Sequence, residues 1–249
     1  MLSKTKIKLI NSLSQKKFRD ETGLFVAEGS KLVLDLAPVF RCSTLVATND
    51  WLNLHKFNAD EIIELNAEEF NKISNHKSPQ GVLAVFEKPE YHWDKQELSH
   101  KLSLALDDVQ DPGNLGTIIR IADWFGITNI FCSEHSADAF NPKTVQASMG
   151  ALARVKVHVV NLEEFLQNFK TEIPIYGTLM NGENIYNKSL THNGIIVMGN
   201  EGNGISSEIE NLITERLLIP NFPLGQTTSE SLNVAVATAL VCGEFRRRN

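Results

Sequence analysis

Cysteine is scarce in this sequence: three residues in 249, at 42, 132 and 242, odd in number and far apart. No two have metal-ligand spacing, so neither a disulfide framework nor a zinc site is indicated, and no metal is expected. Each reads as a small apolar filler in a reducing compartment. Long hydrophobic runs are missing too. Nothing approaches the roughly 20 apolar residues of a membrane span, and "MLSKTKIKLI" at the start has no signal-like apolar core. There is no internal repeat and no low-complexity tract. The sequence reads as a soluble, cytoplasmic protein.

Charge of one sign is also lacking. The net charge is −6, which argues against a protein that coats nucleic acid by bulk positive charge but leaves room for local patches. Two basic clusters exist. The first 19 residues carry Lys4, Lys6, Lys8, Lys16, Lys17 and Arg19 with no acid among them, and the chain closes on Arg246, Arg247 and Arg248. Basic ends are often merely solvated.

Apolar residues make up 42% of the chain, enough for a core of ordinary size. Short apolar runs at 23–29, 43–48, 61–65 and 81–87 predict strands, with amphipathic stretches between them. The polar segment 88–101, "KPEYHWDKQELSHK", has no apolar periodicity and reads as a linker, centred on 91–100. Strands then resume at 102–108, 129–133, 155–160, 174–180, 194–199 and 216–220. Helices are expected near 115–125, 143–151, 162–170, 206–213 and 231–247. Strict alternation predicts βαβ units and parallel sheets, in two α/β domains of about 1–90 and 101–249.

Ligands of open parallel sheets sit at the carboxyl ends of strands. Three loops there are unusually polar. In "DDVQDPGNLGTIIRIADWFG" (107–126), Asn114 is placed to cap a helix that carries Arg120 among apolar residues. Arg120 can cover apolar surface and pair with an Asp, or bind a phosphate near the helix start. In "GIIVMGNEGNGIS" (194–206), the glycine spacing is neither that of a P-loop nor of the dinucleotide fingerprint. Glu201 inside it repels phosphate and suits a hydroxylated or cationic ligand. In "TTSESLNVAVATALVCGEF" (227–245), Ser231 and Asn233 lead a nearly all-apolar helix. They either cap it or face a ligand.

Taken in order, "NLGTIIRIADWFG", "MGNEGNGIS" and "IPN…SESLNVAVATALVCGEF" resemble the three signature motifs of the SpoU (TrmH-like) RNA 2′-O-ribose methyltransferases of the SPOUT superfamily. The resemblance covers about 100 to the end. "KKFRDETGLFVAEGSKLV" and "KSPQGVLAVF" resemble the family's N-terminal substrate-binding domain, which has a ribosomal-protein-like α/β fold. It implies a C-terminal parallel-sheet SPOUT domain (101–249) with a deep trefoil knot, behind a smaller RNA substrate-binding domain (1–90). It further implies S-adenosylmethionine as cofactor, a homodimer, and RNA as substrate, ribosomal RNA more often than tRNA. By motif, Asn114, Arg120, Glu201, Ser231 and Asn233 are the family's catalytic polar positions. Thr178, Leu179, Gly199, Gly204, Ile219 and Leu232 would surround the cofactor. RNA would dock on the basic start and the "HKSPQG" region, with Lys16, Arg19, Lys31 and Lys77 as candidate contacts. The loop between Ile219 and Ser231 is longer than the family's commonest form. The rival readings are a tRNA enzyme of the same family, an α/β nucleotide-binding protein of another class, and a ribosome-assembly factor that binds RNA without transferring methyl groups.

Overall fold

The computed structural model describes residues 2–74, 76–223 and 231–247. The chain divides into two compact units, one of residues 1–90 with 138–153 and the other of 91–137 with 154–249.

The first unit opens with helices α1 (Lys4–Ser12) and α2 (Lys16–Thr22). Strand β1 (Leu24–Glu28), helix α3 (Ser30–Leu36), β2 (Cys42–Thr48), α4 (Asn49–Leu54), β3 (Glu61–Leu65), α5 (Ala67–Asn71) and β4 (Val82–Glu87) follow. The four strands make one sheet in the order β1-β4-β2-β3. Here the expectation of parallel pairing needs correction. β2 and β3 are parallel, but β4 lies antiparallel to both β1 and β2. An apolar run such as "GVLAVF" specifies a buried strand and carries no sign for its direction. β3 is the exposed edge, and Glu61 and Glu64 on it discourage pairing with another chain.

The second unit begins with α6 (Lys95–Ser99), β5 (Leu102–Leu106), α7 (Pro112–Trp124) and β6 (Asn129–Cys132). The chain then makes α8 (Pro142–Ser148) and a 3₁₀ turn (Ala151–Ala153) before β7 (Lys156–Val159), α9 (Leu162–Gln167), β8 (Ile175–Asn184), β9 (Gly194–Met198), α10 (Ser207–Glu210), β10 (Glu215–Leu218) and α11 (Val234–Arg247). Six strands pair in the order β10-β8-β9-β5-β6-β7, every pair parallel. β5 and β9 are buried along their whole length, as a sheet covered on both faces requires.

Two segments depart from the sequence reading. The stretch taken as a linker is docked on the second unit: Leu98 is buried and the Trp93 ring, although partly exposed, stands edge-on to Phe165 at 5.3 Å, so residues from 91 onward belong to that unit. Helix α8 lies inside the sequence of the second half yet completes the first unit. Phe140 packs against Phe25 at 4.8 Å between ring centroids. The buried guanidinium of Arg19 joins Asp138 at 2.6 Å and also donates to the Leu13 carbonyl oxygen at 2.7 Å. Helical periodicity marks a face to be buried without naming the core that buries it. The three cysteine thiols are buried, and burial pushes each up to about 12.

Candidate active site

The site is built at the carboxyl ends of β5, β9 and β10 and at the middle of β8, where residues 178–180 lie past its pairing with β9. α7 starts after the β5 loop with Pro112 in its first turn. Its N-cap is Asp111, whose carboxylate accepts the Asn114 N–H at 2.9 Å, so Asn114 is not the cap expected from sequence. With that role taken, the Asn114 side chain turns elsewhere. Its Nδ2 donates to Glu201 Oε1 at 2.5 Å.

Glu201 sits in the glycine-rich turn after β9. Gly199 is required there by close packing: a Cβ at this position would strike the backbone of Gly204 and Ile205. Asn200 and Gly204 exchange backbone hydrogen bonds at 2.8 and 2.9 Å, which closes a tight loop around Glu201. The Asn200 side chain stiffens it further. Its Oδ1 accepts the N–H groups of Gly202 and Asn203, at 2.8 and 3.1 Å, and its Nδ2 donates to the Asp108 carbonyl oxygen at 2.8 Å. Asp108 has φ 57° and is clasped on its other side by Ser133, whose Oγ accepts the Asp108 N–H and donates to Oδ1, both at 2.9 Å. Asp107, buried beside it, accepts the Ser206 N–H at 2.7 Å and so fixes the far end of the loop.

Asn233 closes the arrangement. Its Nδ2 donates to Glu201 Oε1 at 2.7 Å and to Asn114 Oδ1 at 3.0 Å, while its Oδ1 accepts the N–H groups of Ala235 and Val236 at 3.1 and 3.3 Å. The capping reading of this helix start is realised by the Asn233 oxygen, while its amide nitrogen is spent on Glu201 and Asn114. One carboxylate oxygen thus collects two amides from segments 87 and 32 residues away.

Beside this trio lies a cavity of about 440 Å³. Thr178, Leu179, Gly199, Gly204, Ile219 and Leu232 all line it, together with Glu201 and Ser231. Arg120 is not brought to the trio. It is exposed on α7 and, among the described residues, makes no hydrogen bond or ion pair. The nearby Asp123 is held instead by Arg154, in a two-pronged contact at 2.8 and 2.7 Å. Residues 224–230, most of the loop expected to be extended, lie outside the described residues. Of the candidate RNA contacts, Lys16, Lys31 and Lys77 are exposed, the first two paired with Asp20 and Asp35. Arg19 is buried in its ion pair, so the expected surface cation at 19 is a packing residue. Among the described residues no group of His, Cys, Asp and Glu has the makings of a metal site.

Sequence reading missed the braces. Asn200 was within a quoted motif and Asp107–Asp108 ended a strand, but Ser133 sits outside every motif. Only tertiary structure brings it to Asp108.

The residues fit a S-adenosyl cofactor. The cavity is within the roughly 300–1,000 Å³ usual for such ligands, its walls at Leu179, Met198, Leu217 and Val234 are apolar, and Glu201 adds a carboxylate to a lining otherwise without charge. A parallel sheet with a pocket of this lining at its strand ends fits the class of S-adenosylmethionine-dependent RNA methyltransferases. The chain belongs to the SpoU rRNA methylase family, whose model matches residues 101–243, while a model of the MRM3-like substrate binding domain matches 4–84. The chain is 32% identical to the Bacillus subtilis 23S rRNA (guanosine(2553)-2′-O)-methyltransferase RlmP, over 97% of this chain and 96% of that one. A Porphyromonas gingivalis protein assigned to the TrmH family of RNA methyltransferases superposes with a TM-score of 0.91 at 43% identity, all of both chains being covered. The AdoMet-bound rRNA methyltransferase of Sinorhizobium meliloti superposes with a TM-score of 0.85 at 30% identity, over 100% of this chain and 97% of that one.

Proposed function

We propose that this protein methylates a ribose 2′-hydroxyl in ribosomal RNA, using S-adenosylmethionine held in the cavity beside Glu201. The observation that carries the reading is convergence. Six residues singled out by motif as cofactor contacts line one cavity, and Glu201, also in its lining, gathers Asn114 and Asn233.

S-adenosylmethionine supplies an activated methyl group on sulfonium, so the chain's own residues have to orient the hydroxyl and steady the charge that develops on it. Glu201, Asn114 and Asn233 hold each other in register and set the floor on which the ribose rests. Ser231 lines the same cavity and is assigned to ribose orientation. Arg120, whose guanidinium is exposed and without a described partner, binds the phosphate next to the target ribose and stabilises developing alkoxide. A guanidinium stays charged and is a poor base, which favours this electrostatic role over proton abstraction. DNA lacks the 2′-hydroxyl and cannot react.

Ribosomal RNA is favoured because a relative matched over nearly its whole length is named as a 23S rRNA enzyme. We assign RNA docking to residues 1–90, with Lys16, Lys31 and Lys77 as contacts, and methyl transfer to 101–249, of which 138–153 pack in the first unit. A homodimer through α7 and α11 is supported by apolar side chains left in solvent there: Trp124 is 84% exposed, Val236 51% and Leu240 42%. A trefoil knot formed by the chain beyond β9 and a cytoplasmic location belong to the same reading.

The test is transfer of labelled methyl from S-adenosylmethionine to unmodified ribosomal and transfer RNA, wild type beside Arg120→Ala. Label in ribosomal RNA, reduced about 100- to 1,000-fold in the variant with cofactor affinity kept, is the expected result. A variant with wild-type turnover removes Arg120 from the site. No label in either RNA from a wild-type protein that fails to bind S-adenosylmethionine overturns the reading.

A further inference from the structure

The first unit contains a cavity of about 390 Å³ to which no residue discussed so far as an RNA or cofactor contact contributes. It lies between α1, the carboxyl end of β1, α3, the chain after α5, and α8. Its walls come from both halves of the sequence, since Val145 and Gln146 of α8 complete them.

Its chemistry is divided. The inner wall is apolar and buried, formed by Ile10, Leu32 and Val145. Two exposed amides also line it, Asn11 on α1 and Gln146 on α8, and neither side chain makes a hydrogen bond with a described residue. Lys72 adds an exposed cation at the rim, and it has no ion pair among the described residues. Deeper in, Glu28 accepts a hydrogen bond from Ser74 Oγ and lies 3.7 Å from His76 Nδ1. These contacts tie Ser74 and His76 to the end of β1.

We propose that this cavity takes one unstacked nucleotide of the RNA substrate, base inward and phosphate at the rim. The inference rests on the RNA methyltransferase reading above and adds to it the place where the substrate is read. Apolar walls suit the face of a base. Primary amides each offer a donor and an acceptor, the combination that pairs with base edges. A buried carboxylate at the floor repels phosphate, whereas Lys72 outside attracts it, so the charges fix the orientation of the nucleotide. Sequence-specific RNA recognition generally proceeds by splaying out single-stranded bases, which is what a cavity of this size and lining accommodates.

The test uses the full chain saturated with S-adenosylmethionine, so that the adenosine pocket of the second unit is filled. Two variants at exposed positions, Asn11→Ala/Gln146→Ala and Lys72→Glu, are compared with wild type. Saturation-transfer NMR with the four nucleoside 5′-monophosphates reads the cavity directly. Methyl transfer to unmodified 23S ribosomal RNA reads its use. The double variant is expected to lose the base signals and to raise KM for the RNA about tenfold, the scale of one good base contact, with kcat at saturating RNA unchanged. Lys72→Glu is expected to raise KM and weaken its salt dependence. Monophosphate signals that are absent in wild type or identical in the double variant overturn the proposal, as does an unchanged KM. A wild type that transfers no methyl group to any RNA defeats the enzymatic reading instead, and the NMR arm still decides the cavity.

Discussion

Asn233 and Glu201, 32 residues apart in sequence, meet through one hydrogen bond of 2.7 Å, and the same Asn233 side chain caps the last helix. Its two functions are separable by substitution. Serine keeps a capping oxygen but has no amide to give Glu201. Asn233→Ser is therefore expected to leave the melting temperature close to wild type while methyl transfer falls about 100-fold. Asn233→Ala loses transfer as well and about 1 kcal/mol of stability. Thermal melts beside single-turnover transfer separate the two. Equal activity in Asn233→Ser and wild type would remove the amide from the site.

Ser133 acts through Asp108. It holds that residue at positive φ, and Asp108 in turn receives Asn200, the brace of the glycine loop. Ser133→Ala relaxes the chain of contacts that sets the gap between Asn114 and Glu201. A fall of about 10- to 100-fold in kcat is expected, in line with small misplacements of reacting groups, with S-adenosylmethionine affinity kept. Ser133→Thr retains the hydroxyl and should restore turnover. Failure of threonine to restore it would mean that Ser133 matters only for packing.

Arg19 and Asp138 form a pair with almost no solvent, their side chains 1% and 12% exposed. Removing one partner from such a pair leaves a buried charge, so Arg19→Ala is expected to lose about 3–5 kcal/mol. Urea unfolding measures it. Binding of RNA at low salt, after correction for the unfolded fraction, is expected to be unchanged. Weaker RNA binding by a fully folded variant would return Arg19 to the RNA surface.

His158 is buried, stacks on Phe131 and lies 3.0 Å from Asn129 Oδ1. Burial, with Lys156 nearby, pushes its imidazole down to about 4. Between pH 6.5 and 4 the unfolded chain binds a proton that the folded chain refuses. Stability therefore drops as pH falls through this window and is fully present above it. His158→Gln is expected to flatten that part of the profile. Urea midpoints at pH 4.5, 5.5 and 7 for both proteins test it, and parallel profiles would count against His158 as the source.

Much of this was legible beforehand, for physical reasons. Most strands among the described residues are short apolar runs bounded by turn residues, and such runs report burial directly. β8 instead runs on through the polar, unburied residues 181–184. Residues 114, 201 and 233 stood in polar stretches after apolar strands, where a polar side chain has no core to join. What stayed hidden depends on contacts between distant parts of the chain. Arg19 sits in a run of solvated lysines, and its carboxylate lies 119 residues away. The aromatic Trp93 looked like linker because its partners, Phe131, Phe165 and Phe169, come later in the chain. The direction of β4, antiparallel to β1 and β2, leaves no periodic trace in its apolar run.

Helix α8 has a practical meaning for anyone recombining these proteins. Because residues 138–153 complete the first unit while interrupting the second, no single cut yields two finished halves. A fragment ending near 90 lacks the acid that Arg19 needs and the ring of Phe140 over Phe25. A fragment starting at 91 carries Phe140, Val145, Ala151 and Leu152 with nothing from the first unit to cover them. Chimeras that exchange substrate-binding units among relatives should therefore transplant two stretches together, the first ninety residues and the sixteen around α8, or expect aggregation in place of altered specificity.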